Sequence, residues 1–146
     1  MSELWTQFDI NATFCEISPR TLLNWVQTGL IGYERSTKDR RGICRLYNRT
    51  NVFQFALVNA LTKMKLPTSL IKKIIINHFK GDVKNYRDKF LLIRLKNTDR
   101  RSEDIKFTSF FVDDSIEEDH LRDSKNQYYL TLIIPLWEFD IFGPLE

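Results

Sequence analysis

The sequence predicts an α+β chain. Four short helices and a two-stranded hairpin are expected over residues 1–81, and a small, mostly antiparallel β region over 82–146. Three observations carry this. Apolar residues recur at helical spacing in separate stretches before Gly81. Aromatic and β-branched residues crowd into short runs after it. The charge balance changes sign at the same place: residues 1–81 carry 12 Lys and Arg against 5 Asp and Glu, and residues 82–146 carry 10 against 14. Two domains, 1–81 and 82–146, follow from the joint shift in charge and pattern.

Phe8 to Cys15 reads as the first helix, with Ile10 and Phe14 turned inward and Ala12 permitting close helix packing. Glu16-Ile17 makes a tight turn, and Ile17 is expected to fill the angle between two helices. The second helix runs from about Pro19 to Thr28. Ser18 can accept hydrogen bonds from the orphan amides at its start, and Pro19 at the first helical position loses no bond. Leu22, Leu23 and Val26 form the apolar stripe. Gly29 supplies the left-handed turn that stops it. Helix, short turn and helix in this order make a helix-turn-helix unit.

Ile31 to Glu34 and Ile43 to Tyr47 read as extended. Between them lies the basic, polar stretch Arg35 to Gly42, so a hairpin with a basic loop is expected. A third helix begins near Thr50-Asn51, with Phe53, Leu57, Ala60, Leu61 and Met64 on one face. Leu66-Pro67-Thr68 breaks it. The fourth, from about Pro67 to Phe79, buries Leu70, Ile71, Ile74 and Ile75 and turns Lys72-Lys73 outward, and Gly81 ends it. Strands are expected over Lys89–Lys96, Ile105–Val112 and Tyr128–Pro135, joined in part by the acidic run Asp113–Asp119. Trp137, Phe139, Ile141 and Phe142 form an aromatic tail expected to pack on this sheet or on a second subunit.

Composition excludes several classes. No apolar run approaches the ~20 residues of a membrane span. No basic start followed by an apolar stretch marks a signal peptide, so a cytoplasmic location without membrane association is expected. Cys15 and Cys44 make no disulfide framework and are read as small buried residues. His78 and His120 lack companions at metal-ligand spacing, so neither metal nor cofactor is expected. No phosphate loop, nucleophile elbow or two-histidine motif invites an enzyme.

The basic front half suits a polyanion partner, because neutralised phosphates release counterions. Arg20 and Thr21 lie in the first turn of the second helix, the part of a recognition helix that meets base edges and phosphates. Arg35, Lys38, Arg40, Arg41 and Arg45 fall within eleven residues just after that helix and suit phosphate contact.

Taken together, residues 8–76 resemble the MerR family of winged-helix DNA-binding regulators. The pieces are Ile17-Ser18-Pro19-Arg20-Thr21-Leu22 with Gly29-Leu30-Ile31, then Gly42 followed by Arg45-Leu46-Tyr47, then Asn51 in a helix start, then Met64-Lys65-Leu66-Pro67 and Ile71-Lys72-Lys73-Ile74-Ile75. The resemblance implies a second helix in the major groove of double-stranded DNA and a wing on flanking phosphates or the minor groove. By position it assigns Arg20, Thr21, Asn24 and Trp25 to the helix contact, with Ser18 at its cap. Arg35, Lys38, Arg40, Arg41 and Arg45 belong to the wing contact, with Tyr47 at its base. Where the family often has Arg-Tyr-Tyr, this chain has Leu23-Asn24-Trp25, and Trp25, a contact by position, reads more readily as a core residue.

No sustained heptad pattern follows Gly81, so a homodimer, if formed, is expected through residues 82–146. The sequence names no small-molecule effector. The expected function is sequence-specific transcription regulation. An excisionase-like or architectural DNA-binding protein is the alternative, as is an interaction module that works through the C-terminal sheet.

Overall fold

Thr6 and Asp9 close a reciprocal capping box: the Thr6 hydroxyl accepts from the Asp9 amide, and the Asp9 carboxylate accepts from the Thr6 amide. That box starts α1 (Gln7–Thr13), directly after the two-residue strand β1 (Trp5–Thr6). The structure, a computed structural model, describes residues 3–97, 105–112 and 130–141. They fall into two compact units, Met1–Val83 with Phe139–Glu146, and Lys84–Glu138. The chain is mixed α and β, with four α-helices and two three-stranded antiparallel sheets among the described residues.

In the first unit α2 spans Pro19–Gln27. Ser18 caps it, its hydroxyl accepting from the Thr21 amide at 3.1 Å. Its end is a Schellman loop: Gly29 takes φ 79° and donates to the Val26 carbonyl, and Leu30 donates to that of Trp25. Leu30 then buries itself, as the residue after such a glycine commonly does.

A hairpin follows, of β2 (Arg35–Asp39) and β3 (Gly42–Tyr47), with a two-residue turn at Arg40-Arg41. Asp39, Gly42 and the turn chemistry explain it. The Asp39 carboxylate accepts from the Arg41 amide at 2.7 Å, and Gly42 takes φ 114°. The expected first strand, 31–34, is thus displaced to 35–39; Glu34 contributes only one ladder bond, its amide donating to the Leu46 carbonyl. β1 pairs on the other side of β3, Trp5 opposite Tyr47 and Thr6 opposite Leu46, so the sheet order is β1-β3-β2.

Helix α3 (Arg49–Lys63) begins just before Thr50-Asn51 and is capped by Asn48, with Asn48 and Asn51 in a reciprocal box. It is buried nearly all round rather than on one face. Phe53 and Phe55, two residues apart, point to opposite sides. The Phe55 ring meets Phe14 of α1, Trp25 of α2 and Tyr47 of β3. The Phe53 ring meets Phe79 and Phe139. Met64, expected in the core, is the exposed C-cap. The helix ends in a second Schellman loop in which Lys65, at φ 64°, occupies the position glycine favours. α4 (Thr68–His78) buries Leu70, Ile71, Ile74 and Ile75, as its spacing predicts.

Four expectations about small elements are corrected in this unit. Ala12 and Cys15 face outward, and Cys44 is half-buried, so none of them is a packed core residue. Phe139 packs against Phe53 of α3 instead of a sheet face. Next to it, the Asp140 carboxylate is bound by the Arg49 guanidinium through two hydrogen bonds.

The second unit is built on β4 (Phe90–Asn97), flanked by β5 (Ile105–Val112) and β6 (Leu130–Pro135) in the order β5-β4-β6, both pairs antiparallel. Leu91, Leu92 and Ile93 are all buried, so both faces of the central strand are covered. Tyr86 stacks on Phe111, and Trp137 meets Phe90 edge-on. The acidic run 113–119, His120, Phe142 and Leu145-Glu146 lie outside the described residues.

Candidate functional site

The residues singled out for binding fall on two elements of the first unit, α2 and the β2–β3 hairpin. On α2, Arg20, Thr21, Asn24 and Gln27 are exposed at the 3–4-residue spacing of one helical face. With half-buried Leu23 they line one shallow concavity. Ser18 and Thr21 share a hydroxyl–hydroxyl bond of 2.8 Å, which orients both side chains at the helix start. Gln27 was not among the residues assigned from sequence; its spacing of three from Asn24 and seven from Arg20 is the signal that places it there.

Trp25 is corrected to a core residue. Only 9% of it is accessible, and its ring lies 6.5 Å from that of Phe55. A side chain that fills the seam between α2 and α3 cannot also meet a macromolecular surface. Tyr47 is corrected in the same way. It is fully buried, and its hydroxyl donates to Gln7 Oε1 at 2.5 Å. Burial pushes its hydroxyl above the ordinary value of 10.0, with Arg45 opposing the shift.

The hairpin carries the charge. Every residue of β2 is exposed, as are Arg40 and Arg41 in the turn. Arg35, Lys38, Arg40 and Arg41 form no ion pair among the described residues. Arg45 is different. It is half-buried, its guanidinium lies 5.5 Å from the centre of the Tyr33 ring, and its Nε has no hydrogen-bond partner among the described residues. The ring face offsets part of the cost of that unbonded N–H and holds the charge in place. Tyr33 is thus a supporting residue the spacing alone did not mark.

Directly opposite residues in an antiparallel pair share a face. The register places Lys38 opposite Ile43 and Ser36 opposite Arg45, so Lys38, Ile43 and Arg45 lie on one side of the ribbon. Arg35 falls on the other side.

A separate groove of about 530 Å³ runs past Gly32, Asn51, Gln54 and Lys80. Its buried amide serves the fold: Gln54 Nε2 donates to the Phe79 carbonyl at 2.7 Å, and Oε1 accepts from the Gly32 amide. Among the described residues no cluster of His, Cys, Asp and Glu is arranged to hold a metal, and no helix is long and apolar enough to cross a membrane. No family model matches the chain, and no curated protein or solved structure matches it.

Proposed function

We propose that this chain is a non-enzymatic, sequence-specific DNA-binding regulator of the MerR-like winged-helix type. In this reading α2 is the recognition helix and the β2–β3 hairpin is the wing. One observation carries it: a hairpin exposed along its outer strand and turn presents Arg35, Lys38, Arg40 and Arg41 with no ion pair to any of them among the described residues. Exposed cations outside any ion pair on a slender ribbon suit a polyanion better than an apolar protein surface. The exposed face of Arg20, Thr21, Asn24 and Gln27 supplies donors and acceptors of the kind that read base edges.

The contact set is Ser18, Arg20, Thr21, Asn24 and Gln27 from α2, and Arg35, Lys38, Arg40, Arg41 and Arg45 from the hairpin. Trp25 and Tyr47 hold these two elements on a common core and do not touch DNA. Pairing of two copies is assigned to residues 82–146, since no heptad run follows α4.

Selection from a random duplex library tests the reading. A regulator recovers a discrete motif, and Arg20→Ala relaxes it while Arg40→Ala and Arg41→Ala weaken binding to all sequences alike. Recovery of bent or flexible DNA without a motif supports the architectural alternative instead.

A further inference from the structure

Ile43 is the most exposed large apolar residue of the hairpin, with 63% of it accessible. It stands directly opposite Lys38, on the same face as Arg45, and two residues beyond the Arg40-Arg41 turn. With most of its surface open, it contributes little to the core among the described residues. The strand is held by its backbone ladder, and the apolar anchor of β3 is Tyr47 at the other end. An isolated exposed isoleucine in a mixed surface calls for no explanation. This one faces Lys38 across the ribbon, shares its side with Arg45 and follows the Arg40-Arg41 turn, and that combination fits a groove with negatively charged rims and apolar walls. The minor groove of duplex DNA has these properties: phosphates line its rims, sugars form its walls and base edges its floor. Side chains of the size of isoleucine enter it as wedges that part a base step and bend the duplex.

We infer that the hairpin tip enters the minor groove and that Ile43 is a wedge inserted at a base step, with Lys38, Arg40 and Arg41 on the flanking phosphates. The inference rests on the DNA reading given above and adds to it a distortion of the DNA by the hairpin. The cations position the ribbon and Ile43 makes it sensitive to how easily the step opens.

The test is fluorescence anisotropy with two labelled probes, a mixed-sequence duplex and the same duplex carrying a two-nucleotide bulge. At a bulge the stacking is already broken, so the wild-type protein binds the bulged probe roughly tenfold more tightly. Ile43→Thr keeps the β-branch and every charge. It abolishes the preference, while the salt dependence on the intact duplex stays as in wild type. Ile43→Leu retains the preference. An equal preference in wild type and Ile43→Thr overturns the wedge but leaves the DNA reading standing, and loss of the preference in Ile43→Leu counts against it equally. Failure to bind either probe at low salt overturns both.

Discussion

The ring of Tyr47 meets the ring of Phe55 edge-on, with centroids 5.4 Å apart and planes at 77°. Trp25 meets the same Phe55 from α2 at 6.5 Å. One side chain of α3 therefore fixes both the helix that carries Arg20 and the strand that carries Arg45. Edge-to-face pairs of this kind add to what burial alone contributes. Phe55→Ala is expected to lower stability by about 3–5 kcal/mol, because it leaves a cavity on which three elements converge. Chemical denaturation followed by Trp fluorescence measures it; a loss below about 1 kcal/mol would show that the hub is not where the unit is held together.

Tyr47 also makes stability depend on alkaline pH. Burial raises its hydroxyl above the ordinary 10.0, so the folded state keeps the proton that the unfolded chain releases. The group's stabilising contribution is full below pH 10.0 and is lost as pH rises through the raised folded value. Tyr47→Phe removes this decline and costs about 1 kcal/mol at neutral pH through the lost bond to Gln7. Melting curves of the two proteins from neutral pH upward should converge above pH 10.0. A constant gap would refute the assignment.

The two Schellman loops give an internal comparison. Gly29 and Lys65 both hold positive φ, 79° and 64°, but only one is glycine. Lys65→Gly is expected to stabilise by about 0.5–1 kcal/mol by removing the left-handed penalty. Gly29→Ala is expected to cost about 1–2 kcal/mol through backbone strain alone, since an added Cβ meets nothing within 4 Å. Thermal melts decide; opposite signs for the two substitutions are the required result.

Arg49→Ala strips the guanidinium from an Asp140 carboxylate whose side chain is 1% exposed. Breaking a buried ion pair by removing one partner costs about 3–5 kcal/mol. The double substitution Arg49→Leu with Asp140→Leu removes both charges and should lose much less than the two single changes combined. Additive losses in a denaturation-based double-mutant cycle would mean that the pair is not coupled.

The elements that were legible in the sequence are those whose chemistry is local. Ser18 and Gly29 bound α2 because a cap and a left-handed turn need particular residues. Leu70, Ile71, Ile74 and Ile75 mark α4 because a helix with one buried face shows its period. Arg35 to Asp39 reads as a loop because every side chain of β2 faces water; its pairing rests on backbone bonds, which leave no apolar alternation to read. β1 is two residues long and exists only because Tyr47 and Leu46 offer an edge. α3 hides its period because Phe53 and Phe55 both find partners on opposite sides. Within the candidate site, the cations are legible as a cluster and Trp25 as a core candidate, but the burial of Tyr47 depends on its contact with Phe55 across the fold, which no local pattern marks.

The central claim is that the exposed cations of the hairpin neutralise DNA phosphates. Binding of a labelled duplex across a salt series, for wild type and for Arg40→Ala with Arg41→Ala, measures it most directly. Wild type should lose affinity steeply with salt, with a log–log slope of about −0.9 per phosphate contacted. The double variant should bind every sequence more weakly, with a slope shallower by about 2. Binding that ignores salt, a slope unchanged by the loss of both arginines, or no binding at low salt would contradict the account.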